Sequence, residues 1–371
     1  MNIFFDHKIF VQQKLGGPSR YIINLAKHLN EEKNNAKIFA PLHINDFLKK
    51  SSKIVKGFEK KIFFPDQFEK SIKLKKILRS INNILIPSFI NKFSPNIIHT
   101  TYYDEDNYKD KKIVVTVYDC IHEIFYKDYG FEKINYPKKK ILEKADHVIC
   151  ISKTTKNDLI NIYNVDENKI SVTYLATYTD SYDAGNFFKF PYILYVGSRW
   201  KYKNFSKLLK TLSINKNFLK DFKLVIFGGG KLNNSELKLM KELNLNKEDI
   251  IHLEGGDEIL NACYSNARLL VYPSLYEGFG LPILEAFENN CPVVCSDSSS
   301  LPEVADDAAF YFNPKDEQSM YDSISKICYS DQLRNELLIK GKNRVKNFSW
   351  KKCAKETLNV YNKLWQNSLK I

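Results

Sequence analysis

The sequence predicts an α/β protein built from two domains, each with a doubly wound parallel sheet. Its 371 residues are enough for two domains of ordinary size, and 44% of them are apolar, as in globular proteins. Short apolar runs such as Tyr192–Val196 and Leu269–Tyr272 have the length of buried strands. Several of these runs lead into a glycine-containing loop and then a helical pattern, which is the repeating unit of a doubly wound sheet.

The charge balance is basic, because 56 Lys and Arg outnumber 43 Asp and Glu, and the net charge is +13. The excess is concentrated in residues 43–80, where a basic patch could meet anionic lipid, an anionic substrate or nucleic acid. Seven scattered Cys without a CxxC pair argue against a disulfide framework or a zinc site. The N-terminus turns polar at Asp6, and no apolar run is long enough to span a bilayer. These features predict a cytoplasmic protein.

The first domain begins with a predicted strand, Ile3–Phe5, a loop from Asp6 to Gly17, and a helix that Pro18 opens. Proline suits the first helical position because no N–H is needed there, and apolar residues recur at helical spacing beyond it. Gly16 and Gly17 before Pro18 make a glycine-then-proline helix start like that of Gly280 before Pro282, and a plain strand-to-helix turn is the alternative.

Residues 67–86 carry apolar side chains at helical spacing with four Lys and one Arg among them, and Pro87 is predicted to end the helix. A basic amphipathic helix can lie on an anionic membrane surface. It can equally pack on its own sheet. The dense local charge favours membrane contact.

Two further strands are predicted at Asn96–His99 and Lys112–Val117. Residues just past such strands line the site of a doubly wound sheet, which draws attention to Asp119 and His122. His122 is a candidate for contact with a substrate, although a buried structural His is nearly as good an interpretation.

The end of the first domain is predicted from three features. The acidic segment Asp104–Asp106 has the Asp-x-Asp form of a metal site, but its polar surroundings favour a solvated turn. A strand at His147–Ser152 precedes a helix from about Thr154, and Val172–Leu175 is predicted as the last strand. The polar stretch 177–189 is predicted to be a linker.

The second domain places two cations after its first strand. The strand Tyr192–Val196 leads into Gly197 and Ser198, followed by Arg199 and Lys203. A planar guanidinium can bridge phosphate oxygens, and a lysine supplies a mobile point charge. Both follow the carboxyl end of a strand, so a phosphate site is favoured over ordinary surface cations.

The segment Ser274–Ala286 follows a predicted strand and reads as a strand-to-helix loop, favoured by Gly278, Gly280 and Pro282. A helix start offers free N–H groups and a positive dipole end, which suits phosphate. Glu277 and Glu285 could accept hydrogen bonds from a sugar and a ribose. A tight turn with a glutamate favourably placed near a helix N-terminus is the alternative.

This segment resembles the E-x7-E segment of the retaining, nucleotide-sugar-dependent glycosyltransferases of family 4, which have the GT-B fold. The likeness continues through Pro292–Ser296, Ser299–Val304 and Ala308–Pro314. It implies two Rossmann-like doubly wound domains facing across a cleft. The implied acceptor-side domain is 1–180, the nucleotide-sugar domain is 190–348, and the helix 349–371 crosses back to the N-terminal domain.

The resemblance also implies roles for particular residues. The implied donor-binding set is Gly16, Gly17, Gly197, Ser198, Arg199, Lys203, Gly229, Leu253, Glu277, Gly278, Phe279, Gly280, Leu281 and Glu285. Within it, Arg199 and Lys203 would bind the donor diphosphate and Glu277 the transferred sugar. Many family members have a His where this sequence has Tyr118. The implied catalytic residues are therefore Arg199, Lys203, Glu277, His122 and Asp119, with His122 as the candidate replacement.

As a whole, the resemblance implies a retaining hexosyltransferase that needs no bound metal and no cofactor. The sequence is similar to bacterial surface-polysaccharide mannosyl- and rhamnosyltransferases. The expected donor is a nucleotide-diphosphate sugar of mannose or a 6-deoxyhexose, with GDP-mannose as first choice. The expected acceptor is a glycan or a lipid-linked glycan of surface polysaccharide or lipopolysaccharide synthesis, reached at the inner face of the plasma membrane.

Two other classes of function stay open at this point. A GT-B epimerase would share the architecture and use a nucleotide sugar without an acceptor. A non-catalytic basic protein would bind a membrane or nucleic acid through its surface alone, although nucleic acid is not an expected partner. A phosphorylase of this fold would need a pyridoxal lysine site, for which the sequence has no convincing motif.

Overall fold

The computed structural model divides the chain into two compact units. Unit 1 comprises residues 1–175 and 350–371, and unit 2 comprises residues 176–349. The structure describes residues 1–49, 54, 62–63, 71–103, 108, 111–126, 135–177, 185, 188–215 and 217–368. The predicted turn Asp104–Asp106, the start of the basic helix at 67–70 and most of the predicted linker 177–189 lie outside the described residues.

Unit 1 contains a six-stranded parallel sheet in the order β2-β1-β5-β6-β7-β8. The strands of unit 1 are β1 (Asn2–Phe5), β2 (Asn35–Ile38), β3 (Leu42–His43), β4 (Ile62–Phe63), β5 (Ile97–Thr100), β6 (Lys112–Val117), β7 (His147–Cys150) and β8 (Ile170–Val172). Strands β3 and β4 pair with each other as a separate parallel ribbon. The central strands β1, β5, β6 and β7 are buried along nearly their whole length because helices cover both faces of a parallel sheet.

Helices connect these strands, as parallel pairing requires. They are α1 (Lys8–Gln12), α2 (Gly17–Glu31), α3 (Asp46–Lys49), α4 (Ile72–Phe93), α5 (Ile121–Ile124), α6 (Asn135–Lys144) and α7 (Lys153–Tyr163). The order of the strands reverses between β1 and β5. The loops that follow these two strands therefore meet at the carboxyl edge of the sheet.

Two predicted boundaries in unit 1 are wrong. The loop predicted from Asp6 to Gly17 contains the helix α1, whose residues Ile9, Phe10 and Val11 are all fully buried. Burial of these apolar side chains favours a turn of helix that the short pattern does not predict. The last strand is β8 rather than Val172–Leu175, because its pairing with β7 ends where β7 itself ends.

Pro87 lies inside α4 and does not end it, contrary to the sequence prediction. The helix loses one backbone hydrogen bond there, since proline has no N–H. It continues because Phe89 stacks on Phe39 with ring centroids 4.5 Å apart, and Phe93 stacks on Phe89 at 5.4 Å. Burial of these aromatic rings offsets the missing hydrogen bond.

Unit 2 contains a second six-stranded parallel sheet, in the order β11-β10-β9-β12-β13-β14. Its strands are β9 (Tyr192–Val196), β10 (Lys223–Phe227), β11 (Ile250–Leu253), β12 (Leu269–Tyr272), β13 (Val293–Ser296) and β14 (Ala309–Phe312). Here the strand order reverses between β9 and β12. The two parallel sheets with flanking helices confirm the predicted α/β fold class.

The remaining helices are α8 (Phe205–Ser213), α9 (Phe218–Asp221), α10 (Asn234–Glu242), α11 (Asp257–Asn266), α12 (Leu281–Glu288), α13 (Leu301–Ala305), α14 (Glu317–Cys328), α15 (Asp331–Arg344) and α16 (Trp350–Ser368). The first eight belong to unit 2, and α16 belongs to unit 1, where it packs against α2. One apolar core cluster of unit 2 joins β9, β10 and β12 to α8 and α14.

A buried polar network anchors α16 to the sheet of unit 1. The imidazole Nδ1 of His99 lies 2.5 Å from the hydroxyl of Tyr361, and its Nε2 lies 2.8 Å from the hydroxyl of Thr116. His99 and Tyr361 are both fully buried. Burial lowers the pKa of His99 to about 3, so the ring is neutral in the folded protein.

We expect stability to fall as pH drops below about 6.5, the pKa of an unfolded histidine. Burial lowers the pKa of His99 to about 3 and that of His7 to about 4. The two histidines therefore bind protons in the unfolded chain but not in the folded chain. Each contributes about 1.4 kcal/mol per pH unit over that window. Urea unfolding of His99→Gln between pH 6.5 and 4.5 should show a slope shallower by that amount. Parallel slopes would contradict this assignment.

Candidate functional site

The predicted donor-site residues of unit 2 gather where its strand order reverses. The loop after β9 carries Arg199 and Lys203, and the loop after β12 carries Glu277. The two loops are joined by a hydrogen bond of 2.8 Å from the amide of Leu275 to the carbonyl of Tyr202. A crevice outside the carboxyl ends of parallel strands, at such a reversal, is the usual ligand site of an open α/β sheet.

Lys203 and Glu277 form a close ion pair in this crevice. The ammonium Nζ lies 2.7 and 2.9 Å from the two carboxylate oxygens, so both oxygens accept. The side chains are only 15% and 9% exposed. The ammonium also lies 5.6 Å from the ring centre of Tyr272, whose pKa is raised well above its usual value by burial and by the Glu277 carboxylate. The site therefore holds one cation and one anion side by side.

Two serines of the segment Ser299–Val304 hold the backbone around Glu277 in place. The amide of Glu277 donates to the hydroxyl of Ser299 at 2.9 Å. The hydroxyl of Ser300 lies 2.9 Å from the carbonyls of both Glu277 and Phe279. These contacts connect residues 21 to 23 positions apart in the chain, so the loop is rigid because a second loop holds it.

Gly280 ends the loop and precedes α12. Its φ is +105°, in the left-handed region that favours glycine. A Cβ at this position would lie 2.8 Å from Cδ2 of Leu301. The helix begins at Leu281, one residue earlier than predicted, and Pro282 still lies in its first turn. The predicted residues Gly278, Phe279 and Leu281 thus lie together at the start of α12.

Glu285 lies in α12, one turn after that start. The hydroxyl of Tyr264 in α11 donates to its Oε2 at 2.9 Å. Tyr264 is fully buried, and burial together with the Glu285 carboxylate raises the pKa of its phenol well above the usual value. A phenol that stays protonated holds the carboxylate in place, which is a contact that the sequence analysis missed.

Arg199 has partners that the sequence analysis did not predict. Its Nε donates to Oε1 of Glu236 at 2.7 Å. Its Nη1 donates to the carbonyl of Gly228 at 3.1 Å, and its Nη2 donates to the carbonyls of Gly230 and Lys231 at 2.8 and 2.9 Å. The side chain is 4% exposed. Four hydrogen bonds thus tie the guanidinium to the turn after β10 and to α10.

A cavity of about 590 Å³ adjoins this guanidinium. It touches the predicted residues Ser198, Arg199 and Gly229. Its other lining residues were not singled out from the sequence: Trp200, Lys201, Asn204, Phe205, Ser206, Asn233, Ser235 and Glu236. The indole of Trp200 is 60% exposed. The remaining predicted residues of unit 2 are Gly197, which follows β9 with a φ of +117°, and Leu253, whose carbonyl accepts from the amide of Gly228 at 2.9 Å.

The other predicted residues lie in unit 1. Gly17 begins α2 and Gly16 precedes it, where the hydroxyl of Ser19 donates to the Gly16 carbonyl at 2.9 Å. Asp119 follows β6 and accepts from the amide of Ile121 at 3.1 Å. His122 is half-buried in α5.

Tyr118 stands where the resemblance leads one to expect a histidine. It is buried and packs edge-on against Tyr21 with ring centroids 5.9 Å apart. Its hydroxyl donates to the carbonyl of Thr101 at 3.3 Å. Burial raises the pKa of this phenol well above its usual value. Tyr118 is thus a packed, neutral side chain.

Two buried charge clusters at the carboxyl edge of the sheet of unit 1 escaped the sequence analysis. Lys138 contacts Glu123 at 2.6 Å with side chains 4% and 3% exposed, and it donates to the carbonyl of Asp119 at 2.9 Å. The ammonium of Lys8 lies 3.4 Å from the carboxylate of Asp6, and the two side chains are 2% and 0% exposed. Burial acts to raise the pKa of Asp6, but Lys8 and nearby donors outweigh it and lower the pKa. The position of Asp6 directly after β1 was the signal that could have found the second cluster.

Within the ranges that the structure describes, no group of three or more His, Cys, Asp or Glu side chains is placed to hold a metal ion. All seven cysteines are buried, and none forms a disulfide. Burial raises the pKa of Cys291 and Cys353 to about 12, so these thiols are structural apolar groups.

The chain matches two protein families, one in each half. Residues 182–344 match the family described as glycosyl transferases group 1, and residues 15–180 match glycosyltransferase family 4. Two similar curated proteins are O-antigen chain mannosyltransferase B of Escherichia coli, 30% identical over 246 residues, and O-antigen chain mannosyltransferase RfbU of Salmonella typhimurium, 35% identical over 222 residues. The matches cover 62% and 57% of this chain and 65% and 60% of those relatives.

Solved structures show the same fold over nearly the whole chain. A sucrose-phosphate synthase from Thermosynechococcus elongatus aligns with a TM-score of 0.74 at 19% identity, covering 98% of this chain and 99% of that one. A glycosyltransferase from Rickettsia africae aligns with a TM-score of 0.71 at 20% identity, covering 98% of each chain. These likenesses are evidence for the GT-B fold alone.

Proposed function

The chain belongs to the group 1 glycosyl transferases, and from this premise we propose that it transfers a hexose from a nucleotide-diphosphate sugar to a glycan or lipid-linked acceptor. The observation that carries the proposal is the Lys203–Glu277 pair at the strand reversal of unit 2, beside the start of α12. A cation and a helix N-terminus suit a diphosphate, and a carboxylate suits sugar hydroxyls.

The proposed roles follow from the charge that develops during transfer. The bond between the sugar C1 and the donor phosphate breaks, and negative charge grows on the leaving diphosphate. Lys203 and the positive end of the α12 dipole neutralise that charge. Glu277 accepts hydrogen bonds from sugar hydroxyls, and Glu285 accepts them from the ribose.

We further propose that transfer retains the configuration at C1 and needs no metal. The acceptor hydroxyl attacks from the face that the diphosphate leaves, and a phosphate oxygen takes its proton. Glu277 is engaged with Lys203 through both oxygens, which suits a group that orients the sugar more than a covalent nucleophile. Product anomers read by NMR, with and without EDTA, test both points.

We propose unit 1 as the acceptor side, with Asp119 and His122 as contacts. The donor sugar is proposed to be mannose, carried by GDP, because two similar relatives bear the name O-antigen chain mannosyltransferase. The expected product then belongs to surface polysaccharide or lipopolysaccharide.

A donor screen tests the proposal. The protein is incubated with GDP-mannose, UDP-hexoses and dTDP-rhamnose, each with and without a bacterial membrane lipid extract. The expected result is release of a nucleoside diphosphate that requires the extract. Conversion of the nucleotide sugar without extract supports the epimerase alternative. A protein that binds none of these donors is not a glycosyltransferase of this kind.

A peripheral membrane contact through α4 is also proposed. Its inner face buries Leu78, Asn82 and Ile86, and its outer face exposes Ile77, Ile81 and Ile84 by 54%, 41% and 76%. Exposed Lys73 and Lys76 precede this apolar stripe in the first turns of α4. None of the described helices is long and apolar enough to cross a bilayer. Isoleucines beside lysines suit insertion at an anionic surface.

Replacing Ile77, Ile81 and Ile84 together by Ser should weaken binding to phosphatidylglycerol vesicles at least tenfold, because burial of each isoleucine in lipid is worth about 1.5–3 kcal/mol. Vesicle sedimentation measures this. The matched control replaces three scattered exposed isoleucines, Ile162, Ile214 and Ile339, and should bind as the wild type does. Equal losses of vesicle binding in both variants would show that α4 is not the membrane contact.

A further inference from the structure

A buried ion pair lies beside the loop that follows β6. Its members are Lys138 of α6 and Glu123 of α5, whose ammonium and carboxylate are 2.6 Å apart. Their side chains are 4% and 3% exposed. Burial acts to lower the pKa of Lys138, but the carboxylates of Glu123 and Asp119 outweigh it and raise the pKa. The lysine is therefore a buried cation at neutral pH, and the protein itself balances its charge.

Lys138 contacts both ends of the turn that carries His122. Its ammonium donates to the backbone carbonyl of Asp119 at 2.9 Å and pairs with the Glu123 carboxylate at the far end of the turn. Inside the turn, the amide of Ile121 donates to the Asp119 carboxylate at 3.1 Å. One side chain of α6 thus spans the whole turn, and His122 lies between the two points that it holds.

Neighbouring elements hold the same pair. The hydroxyl of Tyr163, the last residue of α7, donates to Oε1 of Glu123 at 2.6 Å. The Lys138 ammonium lies 4.8 Å from the ring centre of Tyr103, in the loop after β5. The hydroxyl of Tyr103 accepts from the amide of Tyr118 at 3.1 Å, where the loop after β6 begins. The loops after β5 and β6 and the helices α5, α6 and α7 therefore meet at one charge pair.

This pair is better suited to fixing a position than to adding stability. The loss of hydration offsets much of the attraction between two buried charges, and apolar side chains of similar size often stabilise a protein as well. Oε2 of Glu123 is buried without a hydrogen-bond partner among the described residues, which is a cost to the folded state. Charge-assisted hydrogen bonds do, however, hold their partners at short and well-defined distances.

We propose that Lys138 and Glu123 are positioning residues for the acceptor. They hold the loop after β6 in the conformation in which Asp119 and His122 contact the acceptor glycan. Both side chains are buried, so they act through the loop and not as ligands. A displacement of about 1 Å in such a contact can lower a rate by about 100-fold. The inference rests on the proposed function, in which Asp119 and His122 are the acceptor contacts.

The test variant combines Lys138→Met with Glu123→Gln, which removes both charges and keeps an acceptor for the Tyr163 hydroxyl. The assay uses the nucleotide sugar that the wild type turns over in the donor screen, with the bacterial membrane lipid extract as acceptor. We expect kcat/KM for the acceptor to fall by about 10- to 100-fold. The KM for the nucleotide sugar and the calorimetric affinity for its nucleoside diphosphate should stay within about twofold, because the proposed donor residues lie in unit 2.

A second lysine–carboxylate pair, at the opposite end of β6, supplies the matched control. Lys112 donates to Asp146 at 2.9 Å, and the side chains are 35% and 29% exposed. Lys112→Met combined with Asp146→Asn should leave all three quantities within about twofold. The inference is overturned by a test variant that keeps the wild-type kcat/KM for the acceptor. It is also overturned by an equal loss of donor affinity in the test variant, or by an equal loss of acceptor kcat/KM in the control.

Thermal unfolding shows whether the test variant folds, and Tyr163→Phe replaces it if it does not. This change keeps the ring and removes only the hydroxyl that holds Glu123. It should lower kcat/KM for the acceptor about threefold and leave donor binding unchanged. An unchanged kcat/KM for the acceptor in that variant overturns the inference while the proposed function stands. A wild-type protein that transfers from none of the donors overturns both.

Discussion

Glu277→Gln should lower kcat/KM for the donor sugar by about 100- to 1000-fold while leaving the affinity for the bare nucleoside diphosphate within about threefold. The carboxylate is proposed to contact the sugar, which the bare nucleotide lacks. The carboxylate also accepts two short hydrogen bonds from Lys203. The uncharged amide of a glutamine is a weaker acceptor for both Lys203 and the sugar hydroxyls. Steady-state kinetics and calorimetry on the same preparation measure the two quantities.

A second lysine–glutamate pair on unit 2 supplies the control. Lys207 lies 3.3 Å from Glu317 with side chains 29% and 36% exposed, so the pair is a surface salt bridge of small value. Glu317→Gln should leave kcat/KM within about twofold. If Glu277→Gln keeps more than half of the wild-type activity, the carboxylate does not hold the sugar and the proposed role is withdrawn.

Gly280→Ala should destabilise the protein by about 1–3 kcal/mol and weaken nucleotide binding at the same time. Alanine is strained at a φ of +105°, and its methyl group would lie 2.8 Å from Leu301 Cδ2. Relief of the strained backbone and of this contact shifts the Leu301 side chain or the loop that carries Glu277. Urea unfolding measures the first effect and calorimetry with GDP the second.

Gly256 is the matched position for this test. It also precedes a helix, α11, but its φ is −80° and a Cβ there would have no atom within 4 Å. Gly256→Ala should change the free energy of unfolding by no more than about 0.5 kcal/mol. Similar losses at both glycines would mean that the left-handed backbone at Gly280 carries no special constraint.

Much of unit 2 could be predicted from the sequence. The strand Tyr192–Val196 is found as predicted, and the loops after β9 and β12 lie side by side as the strand rule requires. The pairing of Lys203 with Glu277 could have been predicted for the same reason, since parallel strands bring their carboxyl ends to one edge of the sheet. Local composition and connection rules were sufficient here.

The sequence by itself determined the two α/β sheets and the neighbourhood of the proposed donor site, because period, length and glycine placement are local properties of the chain. Only the tertiary structure decided which groups the charges contact. Arg199 meets Gly228 and Glu236, 29 and 37 residues away, and Pro87 stays helical because Phe89 packs on Phe39. Such outcomes depend on burial and on partners distant in sequence, and burial decides whether an ionic side chain faces a ligand or the protein itself.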